Sequence, residues 1–285
     1  MRILTRRLKS GGTWFWANGD DASIGAICGE GGGCRFDVAD GNAAIWIPLS
    51  GSLQVATAYM ARTVSAGDIV VTGCTTPVQA CAHGDCRWLA IVGDDRAWAQ
   101  LLTGTSAIDR QLLPEQYVAN HALYRQAMAI ANAAGPTVQE AALRGLADLV
   151  AGMQWPLYAA IARCPGRTYD QRRQVFVRLQ RVRLFMSSCC ERELDNSTLA
   201  HMASYSPHHF LRTFKSVYLE TPHAYLVRQR LSKAKRLLLQ GRLAITEIAL
   251  DCGFESPSAF SRLFRQRFGT TAQATRRRLQ LDSGL

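Results

Sequence analysis

The sequence predicts an α+β protein of two domains: a small N-terminal β-barrel or sandwich with a helical segment behind it, then an all-α domain that carries a helix-turn-helix twice. Three observations predict it. Residues 199–278 repeat themselves, residues 1 to about 100 hold short apolar runs between glycine-containing turns, and the basic excess of the chain lies after residue 170.

The repeat fixes the architecture of the second half. Its first copy reads LAHMASYSPHHFLRTFKSVYLETP from Leu199 to Pro222, its second IALDCGFESPSAFSRLFRQRFGTTA from Ile248 to Ala272. From Pro207 and Pro257 onward the copies align at an offset of 50, pairing Phe210 with Phe260, Arg212 with Arg262, Phe214 with Phe264 and Lys215 with Arg265. Upstream the offset is 49, as in Ala200 and Ala249. The extra residue therefore falls in the turn, where a loop absorbs it most easily. Two copies are too few for a solenoid and read instead as a pair of equivalent modules.

Each copy carries its own helix punctuation. Ser206-Pro207 and Ser256-Pro257 place a capping hydroxyl before a proline, whose missing N–H costs nothing at the first helical position. Phe210/Phe214 and Phe260/Phe264 stand four apart, so they share the face that packs on the preceding short helix. His208, Leu211, Arg212 and Lys215 are left on the outer flank of one helix, and Ser258, Ala259, Ser261, Arg262 and Arg265 on that of the other. Such small, polar and basic side chains suit a DNA groove, although a single helix of this kind also reads as an ordinary solvated face. Between the copies, Thr221-Pro222 opens an amphipathic helix with Val227, Leu231, Ala234 and Leu238 in phase, stopped by Gly241. A helix of 19 residues is roughly 28 Å long. It can hold two recognition helices about 34 Å apart, one turn of B-DNA.

These residues resemble a known family. The pattern LA...S..HFLRTFK...TP..YL..RL..AK.LL followed by I.EIAL.CGFES.SAFSRLFRQRFG is similar to the DNA-binding domain of the AraC/XylS bacterial transcription regulators, over about residues 175–278. The resemblance implies helix-turn-helix units at about 196–218 and 245–268. It places base-reading positions on His208, Leu211 and Arg212 in the first unit and on Ser258, Ala259, Ser261 and Arg262 in the second. Lys215 and Arg265 are the expected phosphate contacts. It also implies double-stranded promoter DNA and RNA polymerase as partners, a small-molecule effector and a homodimer, with activator and repressor roles both open. The chain departs from the family pattern G.(S/T)P..YR, having Gly269-Thr270-Thr271-Ala272 with neither the proline nor the tyrosine.

Charge divides the chain in the same way. From Gln171 to Leu285 there are 20 Lys+Arg against 8 Asp+Glu, and before that 13 against 14. Basic side chains supply salt-sensitive, sequence-independent affinity for phosphates, while base-facing ones supply specificity. The Arg276-Arg277-Arg278 run reads either as a phosphate contact or as a solvated tail.

Residues 1–100 change idiom. Runs at Ser23–Cys28, Ala43–Leu49, Leu53–Tyr59, Ile69–Thr72 and Trp88–Val92, with turns at Ser50-Gly51-Ser52 and Ala66-Gly67-Asp68, predict antiparallel strands. The stretch VSAGDIVVT at Val64–Thr72 resembles a turn of cupin-like sensor domains. Residues 101–168 read as a helical dimerisation or linker region, broken at Pro114, Gly135-Pro136 and Trp155-Pro156. In it Tyr117, His121, Tyr124 and Met128 share one face and Val138, Ala142, Leu146 and Leu149 another, serving either internal packing or a dimer interface. Cys164-Pro165-Gly166-Arg167-Thr168 is the expected linker to a domain at 169–285.

Several function classes recede. No apolar stretch reaches the ~20 residues of a membrane span and no signal peptide opens the chain, so a cytoplasmic protein is expected. Nine scattered cysteines do not suggest a disulfide framework. Only His83 and His121 precede residue 171, too few for the histidine-rich metal site of a cupin enzyme, and no metal, cofactor or catalytic residue is expected. A cupin enzyme fused to a DNA-binding module, or a constitutive regulator whose N-terminal domain only dimerises, are the alternatives. Cys81 and Cys86, with Cys28 and Cys34 nearby, read either as a thiol or metal sensor or as small apolar core residues. Trp14, Phe15, Trp16, Trp46, Trp88 and Trp98 read either as the lining of an effector pocket or as core.

Overall fold

A computed structural model describes residues 2–17, 23–102, 111–118, 120–133, 135–241 and 243–282. The chain divides into two compact units, Met1–Ala160 and Ile161–Leu285.

The first unit is a mixed sheet with helices on one face. Its strands are β1 (Arg2–Leu8), β2 (Thr13–Trp16), β3 (Ser23–Glu30), β4 (Arg35–Val38), β5 (Asn42–Thr57), β6 (Met60–Ser65), β7 (Asp68–Thr72), β8 (Val78–Asp94) and β9 (Glu115–Val118); its helices are α1 (Asp95–Leu101), α2 (His121–Ala131) and α3 (Pro136–Ala162). The main path runs β1-β3-β8-β5-β7-β9, with β4 also on β8, β2 on β4 and β6 on β5. This path is open among the described residues, not closed into a barrel. Two pairs, β1 with β3 and β2 with β4, are parallel, against the expectation of an all-antiparallel sheet. The expected turn at Ser50-Gly51-Ser52 is instead an irregularity inside β5, where the register with β8 shifts on either side of Ser50. Gly51 takes φ +69° there, and a Cβ on it would press on the Asp85 carbonyl and Cys86.

Alternation along the strands builds two packed faces. Ile24, Ala26, Ala43, Ile45, Ile47, Ile69, Val71, Leu89 and Ile91 form one core with Trp98 of α1, Leu123 and Ala127 of α2, and Leu143 and Leu146 of α3. On the opposite face Phe36 packs against Trp46 and Trp88, at centroid distances of 5.5 and 6.1 Å. The tryptophans are mostly core. Trp46 Nε1 donates to Thr72 Oγ1 and Trp98 Nε1 to the Ala43 carbonyl, both at 3.0 Å, and Trp16 Nε1 donates to Asn42 Oδ1 at 3.2 Å. Phe15 alone of the six aromatics is openly exposed.

Two expectations for residues 101–168 are corrected. Tyr117 lies in β9, paired with Ile69 of β7, and so is not on a helical face with His121 and Tyr124. Pro156 does not end a helix: α3 runs through it. Gly152, Trp155 and Pro156 all lie on the exposed face, so the carbonyl that loses its donor meets solvent.

The second unit is all helical: α4 (Tyr169–Ser188), α5 (Asn196–Met202), α6 (Pro207–Tyr218), α7 (Pro222–Gln240), α8 (Ile245–Asp251), α9 (Pro257–Phe268) and α10 (Ala272–Asp282). The expected linker at 164–168 falls inside this unit. Cys164 is buried, and Arg163 Nε donates to the Val217 carbonyl at 2.8 Å. The long helix α7 packs on α4 and α6 and also on α8, α9 and α10. Phe210, Phe214, Phe260 and Phe264 are fully buried. Truncating any of them to alanine costs about 3–5 kcal/mol.

Candidate nucleic-acid interface

The pairs α5–α6 and α8–α9 match bond for bond. The Tyr205 N–H donates to the Ala200 carbonyl at 2.9 Å, and the Phe254 N–H to the Ala249 carbonyl at 3.1 Å. The turn residue is left-handed in both, Ser204 at φ 59° and Gly253 at φ 82°. Ser206 Oγ then accepts from the His209 N–H at 3.4 Å, and Ser256 Oγ from the Ala259 N–H at 3.2 Å. Within the second helix of each pair the rings stack alike, Phe210 on Phe214 at 5.6 Å and Phe260 on Phe264 at 5.4 Å. Each ends in a left-handed cap, Leu219 at φ 61° and Gly269 at φ 70°. The helix that follows is capped by threonine: Thr221 Oγ1 accepts from Ala224 at 3.2 Å and Thr271 Oγ1 from Ala274 at 3.1 Å. Thr271 thus starts α10 at Ala272 without the family's proline, and the buried Ala272 occupies the place that Pro222 has in α7.

The one-residue difference between the copies also has a place. It is Glu255, exposed in the turn before Ser256. That turn needs glycine at residue 253, since a Cβ there would strike the backbone of Glu191.

Burying the phenylalanines turns the other face outward. His208, Leu211, Arg212 and Lys215 of α6 are exposed, as are Ser258, Ser261, Arg262 and Arg265 of α9. Arg212, Lys215, Arg262 and Arg265 form no hydrogen bond or ion pair with any described residue. Other cations of the unit are committed to its own fold. Arg228 pairs with Glu220 at 2.7 Å, and Lys233 with Glu191 at 3.0 Å. Arg230 donates to the Cys190 and Arg192 carbonyls, and Arg276 Nη2 to the Leu243 carbonyl at 2.6 Å. The first arginine of the 276–278 run is therefore a structural tie and no solvated tail.

Two of the sequence-predicted positions have less to offer than their neighbours. Ala259 is only half-exposed, because it corresponds to His209 and stands beside the cap. Ser261 Oγ donates back to the Pro257 carbonyl at 2.8 Å, which spends its hydroxyl on its own helix. Sequence reasoning also passed over Arg267, exposed in the last turn of α9. Its counterpart in the first copy is Val217, a fully buried residue, so the alignment of the copies hid it.

The thiols are not assembled into a metal site. No group of three or more His, Cys, Asp or Glu among the described residues is placed to hold a metal. Cys34 and Cys86 are fully buried, and Cys34 Sγ donates to the Lys9 carbonyl at 3.0 Å. Among the described residues no helix is long and apolar enough to cross a membrane.

Two short helices joined by a tight turn, the second presenting cations bonded to no described residue, have the geometry of a helix-turn-helix unit. The helix-turn-helix domain family matches residues 199–278. Residues 199–278 thus carry a helix-turn-helix domain similar to that of AraC-type transcription regulators. The HTH-type transcriptional regulator GlxA of Rhizobium meliloti is 39% identical over 97 residues, covering 33% of this chain and 29% of that protein. ExsA of Pseudomonas aeruginosa, also an HTH-type transcriptional regulator, is 33% identical over 98 residues, or 34% of this chain and 35% of its own. Among solved structures, the DNA-binding domain of AdpA in complex with a target DNA is 31% identical, with a TM-score of 0.36 over 37% of this chain and 95% of that one. The chain spans between 21% and 41% of the length of the curated relatives it matches.

Proposed function

We propose that this chain is a sequence-specific DNA-binding transcription regulator in which a single polypeptide carries a duplicated helix-turn-helix. The observation that carries this reading is the correspondence of Arg212 with Arg262 on the outer faces of α6 and α9, both exposed and bonded to no described residue. Both helices pack on α7, whose 19 residues span roughly 28 Å, close to one turn of B-DNA. His208, Leu211 and Arg212 read bases from α6. Arg262 leads the reading from α9, with Ser258, Ala259 and Ser261 as smaller contacts, and Lys215 and Arg265 hold phosphates.

The first unit is, in this reading, a cupin-like sensing domain that responds to a small molecule, with its helices providing a homodimer surface. RNA polymerase is the partner through which a promoter-bound regulator acts, in the cytoplasm. Relatives named as transcriptional regulators favour this role over an enzyme.

The experiment is a competition between a DNA site selected from random sequence and unselected DNA. Arg212→Ala and Arg262→Ala should each lose about 1–3 kcal/mol on the selected site and relax the base preference there, leaving random DNA little changed. Lys215→Ala should weaken both alike. Equal losses on both DNAs for the arginine variants would reduce them to phosphate contacts and contradict the proposal.

A further inference from the structure

A pocket of about 420 Å³ opens in the first unit where β1 and β3 meet the junction of α2 and α3. That volume lies within the range of small-ligand sites. Gln139, in the first turns of α3, sets it apart from a surface dent. It is 9% exposed and lines the pocket, yet its side-chain amide has no hydrogen-bond partner among the described residues. The amide is not sealed off from the pocket, so its donor and acceptor stand open to a ligand there.

The surroundings say what kind of ligand suits it. Arg6 and Arg7 both line the pocket, and neither forms an ion pair with any described residue. Arg7 spends one donor on the Ala131 carbonyl at 2.6 Å, which caps the end of α2 and fixes the guanidinium. The rest of its five donors remain. The Arg6 guanidinium lies 3.5 Å from the centroid of the Trp14 ring, which holds it flat. Gly135, immediately before the 27-residue α3, also lines the site, so the positive end of a long helix opens there. No Asp or Glu stands among the described lining residues. Burial pushes the Cys28 thiol up, only partly offset by Arg7 and Arg87, so Cys28 contributes no competing negative charge. Ile130, Ala131 and Ala133 add a small apolar margin to a mostly polar lining.

We propose that this pocket binds a small organic carboxylate. The carboxylate sits on the Arg7 fork, the amide of Gln139 meets a polar group of the ligand, and its carbon body lies against Ile130. A planar carboxylate matches the guanidinium fork better than a tetrahedral anion does, and the apolar margin leaves room for a short carbon body. That this is the effector site of a regulator rests on the function proposed above. Binding itself is read without DNA, so the two fail separately.

The test is calorimetric titration of the full-length chain with hexanoate, adipate, hexanamide and inorganic phosphate. At least one of the two carboxylates should saturate a single site per chain, and hexanamide and phosphate should not. Gln139→Leu should weaken that binding by about tenfold. Gln139→Glu, which places a carboxylate in the same pocket as the two arginines, should abolish it and raise the Tm of the free protein. The second variant decides the matter if the first does not fold. Absence of saturable binding by either carboxylate, phosphate binding as tightly as the acids, or a Tm lowered by Gln139→Glu would overturn the proposal.

Discussion

Cys252 is fully buried beneath α8 and α9, and burial pushes its thiol up to about 12; burial does the same to Cys164, also to about 12, and to Cys86, to about 11. The folded chain therefore keeps protons that the unfolded chain releases from pH 9.0 upward. The stability that these neutral thiols contribute is complete below pH 9 and is lost as pH climbs toward 11–12. Cys252→Ala should be less stable than the unaltered chain at pH 8, and its deficit in Tm should shrink by pH 10.5. Parallel curves would show that the thiol does not titrate differently in the folded state. Of the two readings open for Cys86, burial and the raised thiol favour a small core residue. At this scale the sequence is readable where spacing decides, as for Arg212 and Arg262, each turned outward midway between phenylalanines four apart. It is unreadable where a side chain chooses between partners, as when Ser261 bonds back to Pro257 or Arg276 reaches the Leu243 carbonyl.

Helices with chemical punctuation were legible in the sequence. Ser206, Ser256 and Thr221 cap where a hydroxyl precedes proline, and Gly241 stops α7 at φ 70°. Elements defined by distant partners were not. β9 exists because β7 offers it an edge, and β5 runs as one strand through Gly51 because β8 follows it across the irregularity. Pro156 misled for a related reason, since a helix tolerates proline when the orphaned carbonyl faces water. The turn between paired helices is the element most open to test. Both copies hold it left-handed, one with Gly253 against the Glu191 backbone, the other with Ser204. Gly253→Ala should lose about 1–3 kcal/mol for the backbone alone, and more from displacing Glu191. Ser204→Gly should leave Tm unchanged or raise it, because glycine takes the same φ without penalty. A neutral Gly253→Ala would mean that the second turn is not held as tightly as the first.

Over the whole molecule, 20 of the 33 basic residues follow Gln171, so the part of the chain that carries both outward helices also carries the positive field that draws nucleic acid. That division was plain from composition; where to cut the chain was not. The Pro/Gly segment at 164–168 marks a joint by sequence, but buried Cys164 and the Arg163 tie to Val217 belong to the second unit, which begins at Ile161. A fragment for solution work should begin there. In the proposed function one chain supplies two recognition helices to successive major grooves. The direct measurement is hydroxyl-radical footprinting, with stoichiometry, of the fragment Ile161–Leu285 on its selected site. One fragment per site and two protected segments about ten base pairs apart on one face of the duplex are expected. Binding only as a dimer, or protection of a single groove segment by one fragment, would contradict it.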